Sequence, residues 1–381
     1  MFTSRINIIR AYLNKQKLDA VLISSVFNIT YLTGFSNFSK EEREAYLLIG
    51  KDFQYIITDA RYSEAVKSEV PHLILFERGY KQSTEDLLKK HKKEIKNLGI
   101  EEDDLTVAEH KLLKKHFKTI KHLDIKTHRA IKTLEEIDKI KKAAKLGDKA
   151  FEYILEKIKP GVSEKEIAFE LESFVKKYGA DLSFPSIVAF GKNSAVPHHQ
   201  TGNTKLTGKG EFVLLDFGVK YKNYCSDMTR TVFLGKPSEK QQKIYQAVLA
   251  AQQKAIDFIN KKLKAGKEIK AGEADKAARD YIVSKGYPGI PHSLGHGIGL
   301  EVHEHPFLSS KSKEVLKEGM VFSIEPGIYI PDFGPPRPSL ARLREARFAG
   351  EAGGVRIEDL FVLEKDKLSN ITHSPKQIIS I

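Results

Sequence analysis

The sequence predicts an α+β chain of two domains, a smaller α/β domain followed by a larger one richer in strands. Three observations carry this. The chain has 381 residues, more than one average domain holds. Hydrophobic residues make up 41% of it, enough for packed cores and too many for a disordered chain. Its local texture also changes near residues 128–133, which divides it into domains 1–130 and 131–381.

In the first domain, MFTSRINIIRAYLNKQKLDA reads as a short amphipathic helix, because charges break every apolar stretch. Leu18–Ile23 follows as a buried-strand pattern. Tyr46–Ile49 and Tyr55–Thr58 read as strands joined across Gly50-Lys51-Asp52, Arg61–Lys67 starts a helix, and Leu73–Phe76 is another strand. Little in this half suggests catalytic chemistry.

The second domain opens with Thr133-Leu134-Glu135-Glu136, a capping-box signature for a helix running to about Ile158, stopped by Pro160-Gly161. Ser163 starts a second helix that Gly179 ends. Longer helices are expected near Glu239–Phe258 and Ala271–Ser284, with strands elsewhere. Pro335–Gly353 lacks lysine and carries Arg337, Arg342, Arg344 and Arg347. Without it, IYIPDFG joins GVRIEDL as a clean hairpin, so it reads as an insertion in a hairpin loop.

Composition excludes several classes. No apolar run nears the roughly 18–20 residues of a membrane span, and the N-terminus lacks the pattern of a secretion signal. One cysteine, Cys225, rules out an internal disulfide framework and a cysteine-based zinc site. A soluble, cytoplasmic protein is the expectation. The formal charge of +13 would suit nucleic acid, but the densest basic stretch, Lys111–Lys145, has no aromatic interleaving. It reads as a solvated helical face, with no nucleic-acid or membrane partner.

Chemistry concentrates in four stretches. In EFVLLDFGVKYKNYCSDMTRTVFLG, two strands flank a turn at Lys220–Asn223, centred midway between Asp216 and Asp227. A regular hairpin makes those aspartates direct cross-strand partners, with Cβ atoms about 5 Å apart. A lone aspartate in an apolar strand is usually a strand-end residue, whereas a matched pair repels itself unless a cation sits between. HSLGHGIGLEVHE gathers His292, His296 and His303 among glycines. Glu325 and Glu358 lie in strand contexts, where burial without a partner costs several kcal/mol. Asp216, Asp227, His296, Glu325 and Glu358 together suit two hard or borderline divalent ions such as Mn, Co, Fe or Zn. Two such ions generate a nucleophile from water and polarise a carbonyl, which points to metal-assisted hydrolysis.

These residues resemble the pita-bread metallopeptidases, the family of aminopeptidase P, prolidase and methionine aminopeptidase. The matching stretches are LLDFG with SDMTRT, GHGIGLEVHE, SIEPGIYIP and GVRIED, with FPSIVAFGKNSAVPHH upstream. NITYLTGF and YIITDARY resemble the smaller domain of aminopeptidase P and prolidase. The resemblance implies a C-terminal creatinase/aminopeptidase-like domain preceded by a creatinase/prolidase-like α/β domain, a homodimer, and two divalent ions per subunit. It implies metal ligation by Asp216, Asp227, His296, Glu325 and Glu358, with Asp227 and Glu358 bridging. Glu325 would accept a proton from the nucleophilic water, His198 would stand near the scissile peptide, and His303 would contact the substrate carbonyl. His292 would line the proline-side pocket, and Arg356, on the same strand face as Glu358, would orient a carboxylate. His199 is the lesser candidate beside His198.

The activity implied is cleavage between an N-terminal residue and a following proline. The reading leans to an Xaa-Pro aminopeptidase, with an Xaa-Pro dipeptidase (prolidase) as the alternative. A non-catalytic pita-bread binding protein, or a metal-free hydrolase on the same fold, should have lost metal ligands, and all five are present.

Overall fold

The computed structural model describes residues 2–208, 210–331 and 352–381. The chain divides into two compact units, Met1–Arg129 and Ala130–Ile381.

The first unit is built on one mixed sheet. After α1 (Phe2–Gln16) come β1 (Ala20–Ile23), α2 (Val26–Thr33), β2 (Tyr46–Gly50), β3 (Gln54–Asp59), α3 (Ser63–Glu69) and β4 (Ile74–Arg78). Then follow α4 (Thr84–His91), β5 (Asn97–Ile100), α5 (Val107–His116), β6 (Thr119–His122) and the short α6 (Lys126–Arg129). The strands lie in the order β4-β3-β2-β1-β5-β6. The pairs β1–β2 and β2–β3 are antiparallel, whereas β3–β4, β1–β5 and β5–β6 are parallel. Parallel pairing requires crossovers, which α3, α4 and α5 provide. Leu22, Leu48, Ile57, Leu88, Leu98 and Phe117 fill the core beneath, each burial contributing about 1.5–3 kcal/mol.

The second unit has two helix-backed halves. In the first half, α7 (Leu134–Leu155) and α8 (Glu164–Lys177) both begin with capping boxes, Thr133 with Glu136 and Ser163 with Glu166. They precede β7 (Asp181–Leu182), β8 (Ile187–Phe190) and a 3₁₀ turn at Gly191–Ala195. Next come β9 (Glu211–Phe217), β10 (Val219–Tyr221), β11 (Tyr224–Cys225) and β12 (Met228–Leu234). Phe151, Ile154, Ile167, Leu171, Leu215 and Val232 pack these helices on the β12-β9-β8 sheet.

In the second half, α9 (Glu239–Lys264) and α10 (Ala271–Ser284) precede β13 (Gly295–Gly297), β14 (Glu304–Leu308), β15 (Val321–Ile324) and β16 (Gly327–Ile330). The chain then runs through β17 (Gly353–Arg356), β18 (Asp359–Leu363) and β19 (Leu368–Asn370). The main sheet has the order β14-β13-β15-β18-β19, with β16 and β17 as a separate hairpin. Ile330 and Gly353 are Cα partners there. Residues 335–351 of the expected insertion lie outside the described residues, and Gly353 opens β17.

One sequence expectation is corrected. Asp216 and Asp227 are not cross-strand partners: Asp216 pairs with Thr229. The turn centres on Lys222 and Asn223, whose φ values are 46° and 71°. A two-residue hairpin loop of this hand needs positive φ at both central positions, so the Lys222-Asn223 turn sets the register. Beyond the turn, Gly218 lies against the Ser226 carbonyl, which a Cβ would meet at 2.0 Å. Only glycine admits that approach, and it leaves Asp227 between β11 and β12.

Candidate metal centre

The two halves of the second unit each supply acids to one buried cluster. Asp216 sits on β9 and Asp227 just before β12, while His296 is on β13, Glu325 follows β15, and Glu358 lies between β17 and β18. The halves are stitched where the Glu358 amide donates to the Thr229 carbonyl at 3.1 Å. Thr229 Oγ1 also donates to Glu358 Oε2 at 2.8 Å.

Asp216, Asp227 and Glu358 bring carboxylate oxygens within 4.8 Å of one another, and so do the donor atoms of His296, Glu325 and Glu358. Glu358 belongs to both groups. Asp227 reaches the second as well, with His296 Nε2 3.7 Å from its Oδ2. His296 Nε2 lies 3.2 Å from Glu325 Oε1, and its Nδ1 is 3.1 Å from the Gly297 carbonyl. Burial lowers the pKa of the ring, but the Glu325 hydrogen bond and the charges of Glu325 and Glu358 outweigh that and raise it to about 9. The backbone contact keeps a proton on Nδ1, so a metal would replace only the proton on Nε2, the arrangement usual for ligating histidines.

The electrostatics of the cluster call for a cation. Burial pushes the Asp227 carboxyl well above the ordinary range, and the charges of Glu358, Asp216 and Glu325 add to it. Glu358 is likewise raised well above its usual value, by burial and then by Glu325 and Asp216. Glu325 goes the other way. Burial raises it, but the His296 hydrogen bond and charge, with His292 and Arg356, outweigh that and lower it to about 2. Asp227 Oδ1 and Glu358 Oε1 are buried without a hydrogen-bond partner. Buried polar atoms are normally satisfied, so these oxygens fit the side chains to divalent cations, which carboxylate and imidazole donors suit.

Around the cluster stand the other predicted residues. Arg356 is buried, and its guanidinium donates to Asp216 Oδ2, to the Tyr329 hydroxyl at 2.8 Å and to Thr229 Oγ1 at 2.9 Å. A further bond reaches the Pro197 carbonyl at 3.3 Å. The carboxylate that Arg356 orients is therefore that of Asp216. His292 Nε2 faces the Tyr329 hydroxyl at 2.9 Å, and burial lowers its pKa. The His303 ring stands edge-on to His296, with centroids 4.2 Å apart. Partial desolvation, then the charge of His296, lowers its pKa to about 4. His198 is exposed, close enough for its charge to act on His292 and His303.

Sequence reasoning passed over Tyr329 and Ser323. Ser323 Oγ accepts from the His296 amide and donates to Glu325 Oε1, both at 3.1 Å. The only signal for either was its place in SIEPGIYIP beside Glu325.

The cluster is the donor set of a dinuclear metallohydrolase, and comparison with known proteins gives the family. Residues 138–365 match metallopeptidase family M24, and residues 5–140 match the creatinase/prolidase N-terminal domain. The chain belongs to family M24, the pita-bread metallopeptidases. It is 39% identical to the uncharacterized peptidase YqhT of Bacillus subtilis (strain 168) over 370 residues, 95% of this chain and 96% of that one. A Xaa-Pro dipeptidase from Bacillus anthracis superposes with a TM-score of 0.87 at 36% identity, covering 100% of both chains. An X-Pro aminopeptidase from Thermotoga maritima MSB8 does so with a TM-score of 0.82 at 31% identity, covering 99% of each. Among the described residues no helix is long and apolar enough to cross a membrane.

Proposed function

We propose that this enzyme hydrolyses the peptide bond between an N-terminal residue and a following proline, as an Xaa-Pro aminopeptidase. Asp216, Asp227 and Glu358 would hold one divalent ion, and His296, Glu325 and Glu358, with Asp227 beside them, the other. Mn or Co is the expected metal. Two such ions supply a nucleophile from water at neutral pH and polarise the scissile carbonyl.

The protein's own groups do the rest. Glu325, held ionised, takes the proton from the attacking water. As the carbon–nitrogen bond breaks, the proton passes to the proline nitrogen, which as an imide nitrogen carried none. His303, with its lowered pKa, presents a neutral ring to the substrate carbonyl. His198 stands at the scissile peptide and His292 lines the proline side, its ring fixed by Tyr329.

The choice of aminopeptidase rests on one observation. A dipeptidase must meet a free carboxylate on the proline, which calls for a cation. Arg356, the permanent cation among the described side chains gathered here, is closed onto Asp216, Thr229, Tyr329 and Pro197. The second reading, an Xaa-Pro dipeptidase, draws on the name of the Bacillus anthracis structure. It would have to recruit a cation from elsewhere, such as the arginines of residues 337–347.

Mn- or Co-loaded protein, offered an Xaa-Pro-Yaa tripeptide and an Xaa-Pro dipeptide, separates the two. Cleavage of the tripeptide supports the aminopeptidase, and cleavage of the dipeptide alone makes the enzyme a prolidase. With metal bound, no cleavage of either would sink both readings, and Asp227→Asn serves as the inactive control.

A further inference from the structure

Glu164 is a fully buried carboxylate outside the metal cluster. It occupies the first position of α8, after the N-cap Ser163. Its Oε1 accepts from the Phe190 amide at 2.9 Å and from Asn193 Nδ2 at 2.8 Å. Its Oε2 accepts from the Gly202 amide at 2.9 Å, and His199 Nε2 lies at 2.9 Å. Both ends of the segment 190–202 thus converge on a single side chain. The backbone reinforces the same junction, because the amides of Glu164 and Lys165 donate to the Thr204 and Gly202 carbonyls at 3.1 and 3.0 Å.

The opposite side of the segment is tied to β17. The Gly354 amide donates to Ser194 Oγ at 2.8 Å, and Arg356 reaches the Pro197 carbonyl at 3.3 Å. His198 therefore sits between two fixed neighbours, Pro197 held by the arginine that orients Asp216 and His199 held by Glu164. Its own ring is exposed and free to meet a substrate. The paired histidines of VPHH thus differ: the His198 ring is exposed, and the His199 ring turns inward to Glu164.

We infer that Glu164, acting through His199, is the positioning residue that sets where His198 stands. The inference rests on the substrate role proposed for His198. A buried carboxylate with this many donors is costly to disturb, and a displacement of about 1 Å at a substrate-contacting group costs up to about a hundredfold in rate.

The test compares His199→Phe, which removes the donor, with His199→Gln, whose amide nitrogen restores it. Hydrogen exchange of the amides in residues 191–202 is read on the full-length metal-free chain, and kcat/KM on an Xaa-Pro-Yaa tripeptide is read on the Mn-loaded protein. His199→Phe should speed that exchange by about tenfold or more and lower kcat/KM by about tenfold to a hundredfold, with metal content unchanged. His199→Gln should restore most of both. In the double variant with His198→Ala, the two losses should fail to multiply, because one acts through the other. Unchanged exchange in His199→Phe would overturn the anchoring. Multiplying losses would overturn the link to His198. A wild-type enzyme inactive on every proline peptide would sink the proposed function, yet the exchange comparison would still decide the anchoring.

Discussion

The first unit and the metal cluster of the second both bury carboxylates, and they treat them in opposite ways. In the first unit Glu101 is used completely. Its Oε2 takes the amides of Ser24 and Ser25 at 2.6 and 2.8 Å, and its Oε1 takes Asn28 Nδ2. Glu44 is similar, accepting from the Ser39 amide and the Tyr62 hydroxyl, both at 2.6 Å. In the second unit Asp227 and Glu358 each leave one buried oxygen with no hydrogen-bond partner. Glu101 is raised by burial while its hydrogen bonds oppose the rise. Asp227 and Glu358 are raised by burial and then further by like charges around them. Burial alone is thus no mark of a functional acid. Orphaned oxygens among like charges are, because only a ligand not made of protein completes them.

The comparison can be broken by substitution. Asp227→Asn should abolish metal-dependent hydrolysis while leaving the metal-free protein at least as stable as wild type, since a repelling charge is removed. A melting temperature well below wild type would place Asp227 with Glu101 as scaffold. Glu325→Gln should lower kcat by about 10²–10⁴-fold, the range for loss of a general base, and steady-state kinetics with metal content verified would check it. Arg356→Met, which releases Asp216, should weaken metal binding by about 10–100-fold, as loss of an outer partner does, and competition with a chelator reads this directly.

In the first unit the effects should be on folding only. Glu101→Ala leaves the Ser24 and Ser25 amides without their acceptor and should cost about 1–3 kcal/mol, read by chemical denaturation with metal stoichiometry unchanged. The smallest effect concerns Glu109. Burial raises its carboxyl, but Tyr46, Thr106 and Arg43 outweigh that and hold it below its ordinary value of 4.5. A depressed acid stabilises above its unfolded value, and that contribution is lost as the pH falls through the folded one. Glu109→Gln should therefore flatten the loss of stability below pH 4.5, and an acid titration with the wild type alongside would reveal it.

Much of this was legible in the sequence for stated reasons. The capping box at Thr133 and the start at Ser163 placed α7 and α8 because helix-start signals are local chemistry, and the structure adds a second box at Ser163 with Glu166. Strands β2 and β3 were readable from apolar runs around a turn. The short β5 and β6 were not, since Asn97-Leu98-Gly99-Ile100 and Thr119-Ile120-Lys121-His122 show no alternation and pair only through parallel crossovers. Helix α9 outran its expected end at Phe258 because the Asn260–Lys264 tail is polar yet helical. The candidate acids were findable as charges misplaced in strands. Their pairing was not, because the φ of Lys222 and Asn223 moved the register. The role of Glu164 had no sequence signal beyond a favourable first-turn acid, since its partners lie 26 to 38 residues away.

The most direct test of the central claim is the metal content of purified protein dialysed against Mn and then against metal-free buffer. The wild type should retain two ions per chain, and Glu358→Gln, which alters an acid shared by the Asp216–Asp227 and His296–Glu325 groups, should retain neither. A wild type that holds no metal, or a Glu358→Gln variant that holds both, would contradict the assignment of the orphaned carboxylates to a dinuclear centre.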